Sequence, residues 1–193
     1  MKVRLFHPLL EDDDFNSLKD CFNQSWLGLG SKVYEFEEQW TNFFNVENYS
    51  VACNSATAAL HIALLSLDLP RGSEVIVPSL TFISSVNAIV YAGLKPVFAD
   101  INSYNLTISI PSIQNLINEN TSAILPVHYG GEPCDMENII NLAKEHNLKV
   151  IEDCAHTQGS IYKNKFLGTW GDIGCFSFEE KKGMTTGDGG MLF

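Results

Sequence analysis

The chain has 193 residues, 45% of them hydrophobic and 18% charged, with a formal net charge of -11. These figures describe one ordinary globular core, and they exclude a nucleic acid or an anionic membrane as the main partner, since so acidic a surface would repel either. Five cysteines (Cys21, Cys53, Cys134, Cys154, Cys175) are scattered, with no CxxC pair and no histidine at ligand spacing. They read as reduced core thiols of a cytoplasmic protein, not as a disulfide frame or a metal site.

Residues 3–10 are interrupted by Arg4, His7 and Pro8 and run into four acids at 11–14, too short and too polar for a signal peptide. No later stretch is long enough to cross a bilayer. The acidic first turn predicts a helix over 11–24. A loop with two glycines, 25–30, separates it from a second helix over 31–44, where the spacing of Val33, Phe36, Trp40 and Phe43 marks one apolar face. A strand over 49–53 turns at Asn54 and Ser55, both good cap residues, into an apolar helix ending near Leu67. Small residues there let a ligand approach the backbone, and the free N–H groups with the Thr57 hydroxyl make a natural phosphate cradle. His61, inside that helix, reads as a packed histidine and not as a ligand.

An apolar strand over 74–77 ends at Pro78, and Leu80-Thr81-Phe82 follows at its carboxyl end, where open parallel sheets collect their ligands. A helix over 83–92 stops at Gly93, a fitting residue for a helix end. Strands over 95–101 and 122–128 flank a helix near 111–119. Gly130-Gly131 breaks the chain before a helix over 135–146, and 149–154 is a buried-type strand that ends in acids. Residues 159–169 read as a hairpin and loop with Asn164 in the turn, and 171–178 and 190–193 are the last strands. Strands that are nearly continuously apolar, alternating with helices, call for an α/β fold with a mostly parallel sheet and helices on both faces.

Between those last two strands an apolar segment breaks into a polar loop with adjacent lysines, Phe176-Ser177-Phe178-Glu179-Glu180-Lys181-Lys182-Gly183. A lysine at the edge of an apolar strand can be desolvated, which frees its amine as a nucleophile. The plain alternative for 179–182 is a solvated charge run. Upstream stand Trp26-Leu27, Asn54-Ser55-Ala56-Thr57-Ala58-Ala59, Pro78-Ser79-Leu80-Thr81-Phe82, Lys95-Pro96-Val97-Phe98-Ala99-Asp100, Val127-His128-Tyr129-Gly130-Gly131 and Glu152-Asp153. In this order, over nearly the whole chain, the set resembles the DegT/StrS family of pyridoxal 5'-phosphate (PLP) dependent nucleotide-sugar aminotransferases, enzymes of fold type I.

The resemblance implies roles. The family's lysine stands five positions after a serine, which selects Lys182 from Ser177 and leaves Lys181 as the competitor. It would hold the cofactor and shuttle a proton. Asp153 would keep the pyridine nitrogen charged, where a capped loop is the plain alternative, while Glu152 alternates to the other face. His156 would lie near the cofactor's ring oxygen, and Phe82 would stack on its ring. Thr57, the Ala58 N–H and Ser177 would bind the phosphate. The loop of Trp26 lies near the family's active site, although a packing anchor explains that residue equally well.

Glu179 and Gly183 depart from the family's usual residues beside the lysine, and a lysine in place of histidine favours transamination over dehydration. The implied activity is transfer of an amino group, from an amino-acid donor such as glutamate, to a keto-sugar nucleotide. The setting would be O-antigen or other cell-surface polysaccharide synthesis by a cytoplasmic homodimer that uses no metal. Residues 1–193 would be the PLP-binding large domain, truncated before the C-terminal small domain that the family carries. A non-catalytic fragment that at most binds PLP or a full-length partner is the alternative. A nicotinamide enzyme ranks last, because residues 53–59 hold no glycine where GxGxxG is needed.

Overall fold

The computed structural model describes residues 8–47 and 49–193. Two helices come first, α1 (Asp12–Asn23) and α2 (Ser31–Phe44), then β1 (Val51–Cys53), α3 (Ala56–Ser66) and β2 (Glu74–Pro78). They are followed by α4 (Ile83–Tyr91), β3 (Lys95–Ala99), α5 (Ile110–Leu116), β4 (Thr121–Ile124), a 3-10 turn over Tyr129–Gly131, α6 (Met136–Glu145) and β5 (Lys149–Asp153). The last elements are a small hairpin, β6 (Ile161–Tyr162) and β7 (Lys165–Phe166), with β8 (Ile173–Ser177) and β9 (Gly190–Leu192).

Seven strands join in the order β1-β9-β8-β5-β4-β2-β3. All run the same way except β9, which is antiparallel to both of its neighbours. This is the mostly parallel α/β sheet that the alternation of elements predicts. Because successive side chains point to opposite faces, each central strand feeds two cores. Ile76, Ile124, Val150 and Phe176 pack with α2, α5 and α6 on one face, through Trp40, Ile113 and Ile139. Val75, Val77, Leu125, Ile151 and Cys175 pack with α3 and α4 on the other, through Leu60, Leu64 and Ile89.

Three local expectations are revised. Helix α2 buries Trp40 and Phe44, whereas Phe43 is 58% exposed. The four-residue step from Trp40 stacks Phe44 directly below it, against Phe166, Phe176 and Phe193. Strand β4 ends at Ile124, short of the predicted 128. Pro126 has no N–H to continue a ladder, and pairing resumes only as a single bridge between Val127 and Asp153. Helix α5 is earlier and shorter than predicted, because Ile117 turns to an extended conformation. The hairpin falls where the sequence puts it, and Lys163 joins Asn164 at positive φ to form a tight two-residue turn. Among the described residues no helix is long and apolar enough to cross a membrane.

One contact sets how the sheet meets α3. A Cβ added to Gly190 would lie 2.4 Å from the carbonyl carbon and oxygen of Ser55 and 2.7 Å from the N of Ala56. The start of β9 therefore touches the backbone of the α3 N-terminus, and only glycine fits there. Gly190→Ala is expected to cost at least about 1–3 kcal/mol, the range of overpacking into a rigid neighbour. Gly28→Ala, which meets nothing within 4 Å, should stay within about 0.5 kcal/mol of the parent. Denaturant unfolding of the two variants checks this, and equal midpoints would contradict it.

Candidate active site

The parallel strands β2, β4, β5 and β8 all end on one edge of the sheet, and the predicted site residues collect there. Asp153 is the last residue of β5 and is only 5% exposed. Its backbone is clamped on both sides: its N–H donates to the Pro126 carbonyl at 2.9 Å, and its carbonyl accepts the His128 N–H at 3.2 Å. Its carboxylate is fixed as well. Oδ2 accepts the Ser85 hydroxyl at 2.7 Å and Oδ1 accepts the Ala155 N–H at 3.1 Å.

Strand β8 pairs Cys175 with Asp153, so Ser177, two residues further on, stands above the end of β5. Ser177 is buried and pairs with Gly190 across β9, and Gly190 in turn lies under Ser55 and Ala56. Register thus brings the serine beside the first turn of α3. Ser55 caps that helix, its hydroxyl oxygen accepting the Ala58 N–H at 3.2 Å. The Ala58 donor is therefore engaged within the cap, and the N–H groups of Ala56 and Thr57 are the ones with no partner among the described residues. The Thr57 hydroxyl donates to Ser84 Oγ at 2.8 Å. Phe82 is the N-cap residue of α4, on the short loop after β2, and is 73% exposed.

His156 lies on the loop after β5, exposed at the edge of the site. Its Nδ1 accepts the N–H of Gly130 at 3.1 Å, so the ring proton belongs on Nε2. Gly130 presents that N–H from the left-handed region, at φ 65°. Burial of part of the ring, and then the Lys182 ammonium, hold the His156 pKa below 6.5, against an opposite pull from Asp153. At neutral pH the ring is uncharged and Nε2–H is a donor.

The lysine loop is closed at its neck by one residue. The Phe178 N–H donates to the Gly189 carbonyl at 2.9 Å, while its carbonyl accepts the Thr186 N–H at 3.1 Å and the Thr185 hydroxyl at 2.9 Å. The Phe178 ring anchors that neck edge-on against Phe36 and Trp40, with centroids 5.2 Å and 5.0 Å away. The two lysines then part. Lys181 is exposed, with Glu179 and Glu180 at 3.9 Å and 4.0 Å. Lys182 is half-buried and has no ion-pair partner among the described residues.

Two other candidates stand apart. Trp26 is exposed and donates its indole N–H to the Leu29 carbonyl at 2.8 Å, so it shapes its own loop and is no core anchor. His61 is half-buried, edge-on to Tyr91 at 6.0 Å, as expected of a packed histidine.

Two residues were missed. Glu152 does face away from Asp153, but it is fully buried. Its carboxylate accepts the N–H groups of Gly168, Trp170 and Gly171 at 2.9, 2.7 and 2.7 Å and meets His128 Nε2 at 3.1 Å. His128 Nδ1 accepts the Cys134 N–H at 3.1 Å, which leaves Nε2–H to donate to the glutamate. Ligand atoms of His128, Glu152 and Cys154 lie within 4.8 Å of one another. Their groups are engaged with one another and with backbone: the carboxylate accepts four donors, His128 Nδ1 accepts the Cys134 N–H while Nε2–H donates to Glu152, and burial pushes the Cys154 thiol up to about 11, whereas a metal needs a thiolate. Ser85 is the other omission. Its only signal was a pair of serines, Ser84-Ser85, opening a largely apolar helix, and its partner is 68 residues away.

Residues 8–193 match the pattern of the DegT/DnrJ/EryC1/StrS aminotransferase family. The chain is 43% identical over 191 residues to GDP-perosamine synthase of Escherichia coli O157:H7, covering 98% of this chain and 52% of that protein. Its fold matches that of Helicobacter pylori PseC, an aminotransferase involved in the biosynthesis of pseudoaminic acid, with a TM-score of 0.93 and 31% identity, over 98% of this chain and 51% of that one. Spr1654 of Streptococcus pneumoniae, in its PLP form, gives a TM-score of 0.92 at 28% identity, over 100% of this chain and 53% of that one. The chain spans about half the length of the curated relatives it matches. The chain belongs to the DegT/DnrJ/EryC1/StrS aminotransferase family.

Proposed function

We propose that this chain is the cofactor-binding large domain of a PLP-dependent sugar aminotransferase. It would transfer an amino group from an amino-acid donor, glutamate, to a nucleotide-linked keto-sugar destined for cell-surface polysaccharide such as O-antigen. The observation that carries the reading is a buried Asp153 carboxylate fixed at both oxygens at the end of β5, on the sheet edge after which the loop of a half-buried Lys182 with no ion-pair partner among the described residues begins. The name of the E. coli relative, GDP-perosamine synthase, supports a nucleotide-linked amino sugar as the product. A cytoplasmic homodimer is the setting we favour.

The donor set suits PLP. The N–H groups of Ala56 and Thr57, which have no partner among the described residues, and the Ser177 hydroxyl offer an anion site for its phosphate, whereas the Ala58 N–H first expected there is taken by the Ser55 cap. The Asp153 carboxylate, fixed at both oxygens, would face the ring nitrogen. The exposed Phe82 ring offers an apolar plane, and His156 Nε2–H a donor for the ring oxygen. Bound PLP supplies an electron sink for charge developing on the substrate carbon. Lys182 Nζ would hold the cofactor covalently and then carry the proton to and from that carbon. Lys181, paired with acids in solvent, is the poorer nucleophile.

A second reading has support in α1, which buries none of its residues and leaves Phe15, Leu18 and Phe22 exposed. On that reading this length of chain binds PLP but turns over substrate only when further polypeptide covers the helix. Steady-state transamination by residues 1–193 alone separates the two.

Borohydride reduction in the presence of PLP should place the pyridoxyl group on Lys182. Peptide mapping that finds it on Lys181 would move the nucleophile by one residue. Asp153→Asn is expected to bind PLP while turnover falls by about 100-fold or more, as when other charge-stabilising groups are removed. Near-parent turnover would assign the ring nitrogen to another group. In an NMR titration His156 should protonate below 6.5, and Lys182→Ala should move that transition upward, because the lysine charge is one cause of the depression. An unmoved transition would mean that the two side chains are not neighbours.

A further inference from the structure

We infer that Ser85 is a positioning residue for the Asp153 carboxylate and that, through Thr81, it ties that carboxylate to the loop carrying Phe82. The inference rests on the proposed role of Asp153. Ser85 is completely buried, in the first turn of α4, and its Oγ lies 2.7 Å from Asp153 Oδ2. Thr81 Oγ1 lies 2.7 Å from the same Oγ. An ionised carboxylate only accepts, so the single Ser85 proton must point to Asp153. Ser85 Oγ is then left as an acceptor, and Thr81 must be the donor in the second contact. The other acceptor in reach of Thr81, the Phe82 carbonyl, is further away at 3.3 Å. The direction of the chain is therefore settled by donor count: Thr81 to Ser85 to Asp153.

The chain crosses the sheet. Thr81 and Ser85 follow β2, Asp153 ends β5, and β4 lies between those strands. No backbone hydrogen bond links β2 directly to β5, so the buried hydroxyl is the polar link between the two strand ends. Phe82 sits between Thr81 and the helix, so the same link sets the aromatic plane relative to the carboxylate. A serine used only to start α4 would need no partner on β5. Hydrogen bonds to charged groups are roughly twice as strong as neutral ones, and burial keeps water from replacing this one.

The test compares Ser85→Ala, Ser85→Cys and Ser85→Thr in the holoenzyme, reading PLP affinity by equilibrium dialysis, then kcat and KM for the sugar nucleotide. Ser85→Ala should weaken PLP and lower kcat by about ten-fold each, the worth of one buried charge-assisted hydrogen bond, with KM within about two-fold of the parent. Ser85→Thr should restore both. Ser85→Cys keeps the volume but donates weakly, and it carries the test if the alanine variant does not fold. Thr81→Val should show a smaller loss of the same kind. Combined with Asp153→Ala, Ser85→Ala should cost nothing further, because the group through which it acts is gone. Parent-like PLP affinity and kcat in both Ser85→Ala and Ser85→Cys, or full additivity with Asp153→Ala, would overturn the inference. If Asp153→Ala itself changes neither quantity, the proposed role of Asp153 fails instead.

Discussion

A fully buried carboxylate must be given donors or the fold does not close around it, and Glu152 is that carboxylate. It receives three backbone N–H groups from 168–171 and the imidazole of His128, and so draws the loop after the β6–β7 hairpin and the chain after β4 onto the end of β5. Leaving such a group unpaired costs several kcal/mol, which makes the arrangement close to all-or-none. Its neighbour Asp153 benefits. Alternation along β5 sends one acid into this knot and the other toward the open edge, on a backbone that cannot shift.

That edge assembles residues from five separate segments: the start of α3, the loop after β2, the ends of β5 and β8, and the loop between β8 and β9. Parallel strands make this possible, because they bring their carboxyl ends to one side whatever the separation along the chain. The antiparallel β9 has a different function in the site. Its first residue, Gly190, pairs with Ser177 and touches the α3 N-terminus, which brings a hydroxyl beside the Ala56 and Thr57 N–H groups, unpartnered among the described residues.

The lysine loop shows how a polar segment can be held without polar packing. Its neck is fixed by hydrogen bonds at Phe178, and the Phe178 ring is fixed by aromatic contacts from α2. Above that anchor the two lysines differ in burial and in partners. Lys181 lies within reach of two acids in solvent, while Lys182 is half-buried and has no ion-pair partner among the described residues.

The element order, the parallel sheet and the edge on which a site would lie were all legible in the sequence, because strand hydrophobicity, helical spacing and the residues that cap and break helices are local properties. The ordered motifs also made Asp153, Lys182 and Ser177 visible as candidates. Side-chain partners were not legible. Nothing near Ser85 in sequence announces Asp153, and nothing near Glu152 announces the N–H groups of 168–171, since those contacts exist only once the strands are ordered in space. The choice of Phe44 over Phe43 for the core, the early end of β4 at Pro126 and the parting of Lys181 from Lys182 were likewise decided by packing. Local pattern determines which elements form and how they alternate; the direction of a buried hydrogen bond depends on which distant group arrives to accept it.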